Sequence, residues 1–577
     1  MDRSSLDQAA STVGPLENQL IDAYASGAVS RRSFLVRGSV LGLSAAFMGS
    51  IIAACGSDSE GGTSADTAAP AGSTATGDTA APAETTAPAA GAIKQGGTLK
   101  VASQKPGSPL DPVAMDNLGS YTPVTIAFEY LCGKGEGAAL APMLAEEWTP
   151  NDDGSVWTFK LRSGVTWHDG TPFTSADVVA TLDRLAPGNL AAYIVEGATK
   201  AVDDLTVEVT LNAPDGQFPY QVSLWNPQSV ITPVSFVAGS TLDATPTGTG
   251  PFKLDKFDVA TGCTFVRNDS WWGGTPYLDA VELVFSDDID TQITGVLGGQ
   301  ADAIVLFAVV GGDALLNSDE VVVESIKGAS HRQLWMNTRE GNFADVRVRQ
   351  AVALGLNRQE LLDVILQGKG TIGNDHPVAP TYEFFDASQP QRERDVEAAK
   401  ALLKEAGKEG LAVTLHAPQL VEIPQLAELI QTQLKDIGMD ITLNVESTDT
   451  FYDRWCKVYD STNEPTGCDG GEEFGIVDYG NRGTPDVYLV KAYSTGEWNS
   501  AHYVSEPFRA AVAEYQAALT VEDRKGPISE IQKIANEDVP YVIPYFYDSL
   551  FAYKKGVTGI VASGLGHFYL GAAGFTE

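Results

Sequence analysis

The chain has 577 residues, with 38 basic and 75 acidic side chains and a formal net charge of −37. Its hydrophobic content of 43% can bury a core, which excludes global disorder, and the acid excess excludes the basic face of a nucleic-acid binder. Five cysteines, none in a CxxC cluster, exclude a disulfide scaffold and speak against structural zinc, while the length suggests roughly three to four domain-sized units.

The first 54 residues read as an export signal. Arg31-Arg32 stands before an uncharged stretch, Gly38 to Ala54, whose 17 mildly apolar residues suit cleavage better than membrane spanning. Twin arginine before a weak apolar region is the pattern of the Tat route, which exports folded proteins. The stretch ends in Ile52-Ala53-Ala54-Cys55-Gly56, which resembles a bacterial lipobox: small residues admit the peptidase, and the Cys55 thiol takes the lipid. Cleavage removes four charges of each sign, so the mature chain keeps the −37. Residues 55–95 are rich in Ala, Thr, Ser, Gly and Pro without apolar periodicity, a flexible tether.

The folded body then begins. Trp157, Phe159 and Leu161 alternate with polar residues, as do Leu205, Val207, Val209 and Leu211, so both stretches are expected as half-buried strands. Between them Thr174-Ser175-Ala176-Asp177 resembles an acidic capping box opening a helix. In Trp167-His168-Asp169-Gly170 the spacing predicts a hairpin turn with His168 facing water. Asn357 to Glu360 caps a further helix, and another stripe runs from Val396 to Ala406 before Gly407. Residues 411–446 read as strand, helix and strand, with Pro424 in the helix's first turn and Gly438 at its end; connections this short predict a parallel βαβ unit. The body is α/β in several lobes.

Several stretches resemble the family 5 extracytoplasmic solute-binding proteins of ABC importers, the oligopeptide, dipeptide and nickel-binding group. They are Leu140 to Trp148, Trp157 to Arg162, Trp167 to Phe173, Gly248 to Phe252, Arg267 to Trp272, Gly298 to Asp302, Asn337-Thr338, Asp345 to Val352, His502-Tyr503, Pro507-Phe508 before a helix, and Val539 to Pro544. The resemblance implies a periplasmic-binding-protein-like fold of class II, cluster C type: two main α/β lobes joined by a hinge, plus an extra small α/β lobe. Lobe I would comprise 96–138, 237–329 and 552–577, lobe II 139–236, and lobe III 330–551.

It also implies site residues. Asp478, in Gly475-Ile476-Val477-Asp478-Tyr479-Gly480, matches the aspartate that takes a peptide's α-ammonium group in oligopeptide binders, with Tyr479 beside it. A buried carboxylate does need a cation, and Arg482 in the following turn is the rival local partner. That turn, Gly480-Asn481-Arg482-Gly483, departs from the proline-containing turn usual in the family. Asn117 and Leu118 resemble a ligand-facing loop of lobe I; Tyr193 in lobe II and Trp335 at a crossing into lobe III are aromatic candidates for a wall. Cys456 and Cys468 suit a short-loop disulfide outside the cell, whereas Cys132 and Cys263 either pair or stay buried. The six histidines are scattered; nickel carriage stays an alternative within the family, and His331 and His416 are the two that could meet in three dimensions.

The expected function is capture, by a lipid-anchored and monomeric protein, of peptides or similar amine-bearing solutes for delivery to a membrane permease. Nickel complexes, opines and oligosaccharides are the alternatives within the family. An exported hydrolase is the rival from another class, though no G-x-S-x-G or zinc motif is present. No cofactor, metal site or catalytic residue is expected.

Overall fold

In this computed structural model the described residues are 92–577, apart from 108–109, 113–114, 116, 238, 245, 456–471 and 495–497. The export signal, Cys55, nearly all of the tether and the Cys456–Cys468 pair lie outside the described residues.

Three sheets organise the body. One has seven strands, in the order Val321–Ile326, Ser549–Lys554, Ala303–Phe307, Thr98–Ser103, Ala280–Phe285, Gly262–Arg267 and Phe252–Asp258. Its centre is parallel and its flanks antiparallel, and Leu99, Val101, Phe265 and Leu283 fill its core. A four-stranded antiparallel sheet follows in the chain, ordered Ala145–Pro150, Val156–Leu161, Thr206–Leu211 and Ile194–Asp203. Period-two alternation sends Trp157, Phe159, Leu161, Val207 and Val209 inward. The helix Ser175–Leu185 covers that layer, and its capping box forms as expected, Thr174 reciprocating with Asp177.

The third sheet runs Gly370–Ile372, Tyr545–Tyr547, His331–Met336, Phe474–Tyr479, Ala412–Pro418 and Asp440–Glu446, with Tyr541–Val542 also pairing to His331–Met336. Here the βαβ unit is found: Ala412–Pro418 pairs parallel with Asp440–Glu446 across the helix Ile423–Asp436, whose Leu426, Ile430 and Leu434 are fully buried. Gly438, at φ +88°, turns the chain out of that helix in a conformation that L side chains avoid. The helices Arg358–Leu366 and Val396–Glu405 also form, capped by Asn357 and Asp395.

The chain passes twice between the first and third sheets, from Ile326 to His331 and from Tyr547 to Ser549. The two passages touch: the Tyr547 N–H donates to Ser330 O at 2.9 Å. Asn481 braces the first one, its Oδ1 accepting the Ala329 N–H at 2.8 Å. A Cβ on Gly328 or Gly564 would lie 2.8 or 2.7 Å from the Asn481 amide, so both glycines leave the room that this side chain fills.

Several expectations change. His168 does not face water: its Nδ1 accepts the Gly248 N–H at 3.1 Å and its Nε2 lies 3.0 Å from Gly250 O. The Asp169-Gly170 turn is present, with Gly170 at φ +88°, but it folds the imidazole onto the neighbouring loop. Pro507 and Phe508 lie within the first turn of the helix Glu506–Ala517 and not before it. For Cys132 and Cys263 the second alternative holds: both are free, buried thiols, and burial pushes both pKa values up.

The third sheet's flank is held by a buried charge cluster. Asp375, fully buried, receives Arg358 Nη2 at 2.6 and 2.7 Å and Arg392 Nε at 2.9 Å. Asp375→Asn keeps the shape and the left-handed backbone (φ +64°) while stranding two guanidinium groups. The substitution is expected to cost about 3 kcal/mol, read from the denaturant midpoint at constant slope.

Candidate functional site

The central pair of the third sheet, His331–Met336 against Phe474–Tyr479, sets the site's geometry. Its antiparallel register places Arg332 opposite Asp478, His331 opposite Tyr479 and Trp335 opposite Gly475. Opposed residues share a face, and alternation sends neighbours to the other one. Arg332 and Asp478 therefore lie on the face covered by the helix Ile423–Asp436, and Tyr479 and Trp335 on the reverse.

Asp478 has a partner within the chain, and it is neither Arg482 nor the local backbone. Arg332 Nη1 donates to Asp478 Oδ1, and the Tyr547 hydroxyl donates to the same oxygen at 3.0 Å. Arg332 also grips Glu422 with two bonds, Nε to Oε1 at 2.7 Å and Nη2 to Oε2 at 3.0 Å. The guanidinium carbon stands 4.3 Å from the centre of the Tyr547 ring. Burial works against the Arg332 charge, but Tyr547 and Glu422 outweigh it and raise its pKa above the ordinary value. The side chains of Arg332 and Glu422 are 4% and 3% exposed, whereas that of Asp478 is 27% exposed. Two carboxylates face one guanidinium, a formal surplus of one negative charge, and the most accessible of these three side chains is that of Asp478.

Tyr479 is buried in an aromatic layer. It stacks on His331 at 5.3 Å, meets Tyr488 edge-on at 5.7 Å and touches Trp498 at 5.9 Å. Trp335 is buried too, lying across Gly475 and tilted against Phe451 at 6.0 Å. Its indole occupies the space where a side chain at 475 would begin, which explains the glycine.

The remaining candidates lie elsewhere. Asn117 caps the helix Leu118–Ala127, its Oδ1 accepting the Ser120 N–H at 3.0 Å. Leu118 borders a cavity of about 100 Å³ with Gln104, Thr122, Asp287 and Gln292. Tyr193, half-buried, lines a crevice of about 260 Å³ with Tyr220, Trp225, Arg482, Gly483 and Val487. It also borders a larger one of about 390 Å³ with Gln217, Asp215, Asp486 and Lys491. The structure thus brings Tyr193 to the unusual turn after Asp478, and puts Trp335 and Tyr479 in one aromatic cluster. It does not gather the six residues into one place.

Arg332, Glu422 and Tyr547 were not foreseen. Sequence separations of 90 and 146 residues hide the cluster, and only the strand register reveals it. His331 and His416 do not meet: His331 faces Ala329 O at 2.8 Å, and His416 pairs with Asn444 at 3.2 Å. Among the described residues no group of three His, Cys, Asp or Glu side chains converges on a metal position. No helix among them is long and apolar enough to cross a membrane.

Two α/β sheets joined by paired passages, with a smaller sheet attached and a polar cluster between strand ends, make up the architecture of a periplasmic binding protein. The model of bacterial extracellular solute-binding proteins, family 5, matches residues 139–496. The chain belongs to that family, the solute receptors of ABC importers, and is a binding protein and not an enzyme. It is 26% identical to heme-binding protein A of Haemophilus influenzae over 467 residues, 74% of this chain and 83% of the relative. It is 24% identical to the dipeptide-binding protein of Escherichia coli over 468 residues, 74% of this chain and 85% of that one. Among solved structures, HbpA2 from Haemophilus parasuis superposes with a TM-score of 0.72 at 22% identity, over 83% of this chain and 100% of that one.

The aromatic layer carries a pH dependence. Burial lowers the His331 pKa from 6.5 to about 4, so the folded state holds the imidazole neutral. A depressed folded value means stability that is complete above pH 6.5 and is lost as pH falls toward 4. At pH 5 the loss from this group is about 2 kcal/mol. Denaturant unfolding at pH 7 and pH 5 is expected to show a fall smaller by that amount in His331→Phe.

Proposed function

We propose that this chain is a lipid-anchored extracytoplasmic receptor that captures peptides or similar amine-bearing solutes and passes them to an ABC permease. The observation that carries the reading is the unbalanced cluster around Asp478. Buried Arg332 and Glu422 neutralise each other, leaving Asp478 as the exposed member and the carrier of the surplus negative charge. A ligand ammonium meeting that carboxylate makes a charge-assisted hydrogen bond. The likeness to a dipeptide-binding protein supports the same ligand class.

In this reading the passages at 327–330 and 547–549 form the hinge between lobes I and III, with lobe II as the small four-stranded unit. Contacts to both sides exist only when the lobes close, so a solute shifts the population toward closure and a permease can distinguish loaded from empty receptor. Tyr193, Trp225 and Arg482 border the crevice beside the Asp478 strand and supply walls for the rest of the solute. On closure Asn117 and Leu118, at the start of the helix Leu118–Ala127, approach from lobe I, and Tyr479 and Trp335 back the site from behind the strand. The protein acts as a monomer, held to the outer face of the membrane by a lipid on Cys55 and the tether that follows.

Two experiments test this. Free tripeptides are expected to bind at least tenfold more tightly than their N-acetylated forms by calorimetry; equal affinity would remove Asp478 from the amine-accepting role. Cys55→Ser is expected to shift the protein from the membrane fraction to the soluble one while leaving tripeptide affinity unchanged. Continued sedimentation with membranes would reject the lipid anchor.

A further inference from the structure

In the carboxylate cluster, Arg332 is a permanent cation at the position where a ligand ammonium is called for. Three features keep it there. It holds both oxygens of Glu422, at 2.7 and 3.0 Å. It lies against the Tyr547 ring face at 4.3 Å, and Tyr547 is itself bonded to Asp478. It projects from a central strand whose register fixes Asp478 directly opposite. Moving it aside would leave the Glu422 carboxylate, 3% exposed, without its cation.

We propose that Arg332, held by Glu422, is a positioning and specificity-determining residue: a built-in counter-ion that weakens the pull of Asp478 on ligand amines. This rests on the reading of Asp478 as the amine acceptor and deepens it. One oxygen of Asp478 is already committed to Arg332 and Tyr547. A ligand ammonium approaching this carboxylate is repelled by a guanidinium bonded to the same group, while the opposite charge of Glu422 stands behind that guanidinium. The discrimination between a free ammonium and an uncharged N–H donor is therefore small compared with that of an unaccompanied aspartate. The receptor tolerates solutes whose amino end is blocked or neutral, at reduced affinity, where a bare carboxylate would reject them.

The test compares the wild type with two double variants that remove the ion pair without stranding either partner. Arg332→Gln with Glu422→Gln keeps polar groups in place. Arg332→Met with Glu422→Leu replaces the pair with apolar volume, an exchange that buried ion pairs often tolerate. Each protein is offered an equimolar mixture of tripeptides and their N-acetylated forms, and the retained fraction is read by mass spectrometry. The expected result is a free-to-acetylated ratio at least tenfold higher in whichever double variants fold than in the wild type. Arg332→Lys, which keeps the charge, stays within threefold of the wild type. A double variant that folds but leaves the ratio unchanged, while the wild type prefers free amines, overturns the role of Arg332 and leaves that of Asp478 standing. A ratio of one in every protein, or retention of neither form, overturns the Asp478 reading, and this proposal with it. Should both double variants fail to fold, Glu422→Gln decides: with the opposing charge behind the guanidinium gone, the free-to-acetylated ratio is expected to fall at least threefold below the wild type, and an unchanged ratio overturns the counter-ion.

Discussion

A buried guanidinium has to be surrounded by acceptors, and the centre of the third sheet is arranged around that requirement. Arg332 projects from one strand, Asp478 from its antiparallel neighbour and Glu422 from the approach to the following helix. Tyr547, from the returning strand, contributes both its ring face and its hydroxyl. Removing any one partner would leave a buried ion unpaired, a penalty larger than the gain from any single apolar contact nearby. The result is a polar island within a sheet otherwise packed by leucine, isoleucine and aromatic side chains. One carboxylate stands at its edge.

The same strand pair separates two environments. Period-two alternation gives the charge cluster one face and the aromatic layer the other, so Asp478 and Tyr479 are neighbours in the chain and strangers in space. Tyr479, Tyr488 and Phe546 pack around His331 in a dense backing behind the strand. Close packing of this kind resists displacement of the strand that carries Asp478. The passages between the sheets are arranged around a polar side chain instead. There Gly328 and Gly564 make space for Asn481, and a few hydrogen bonds connect elements far apart in the chain.

Much of the fold was legible from local pattern. The capping box at Thr174, the alternation of Trp157 to Leu161, and the stripe from Leu426 to Leu434 between two short strands are readings that need only a few adjacent residues. The surroundings of His168 are not legible locally, because its partners Gly248 and Gly250 are about 80 residues away in the chain. Asn117 was legible only as part of a loop that resembles others. In the fold it is a helix cap, a role that an asparagine three residues before a free backbone N–H fills well.

Amino-acid order by itself determined the acidic and α/β character of the body and the family, because each depends on composition or on neighbours in the chain. It also singled out Asp478 as a carboxylate in need of a cation. Only the tertiary structure decided which cation answers within the chain. Arg332 reaches Asp478 by strand register across 146 positions, and Glu422 joins from a loop whose approach depends on how a helix packs. Long-range pairing of this kind follows from the closing of sheets, and no local periodicity records it.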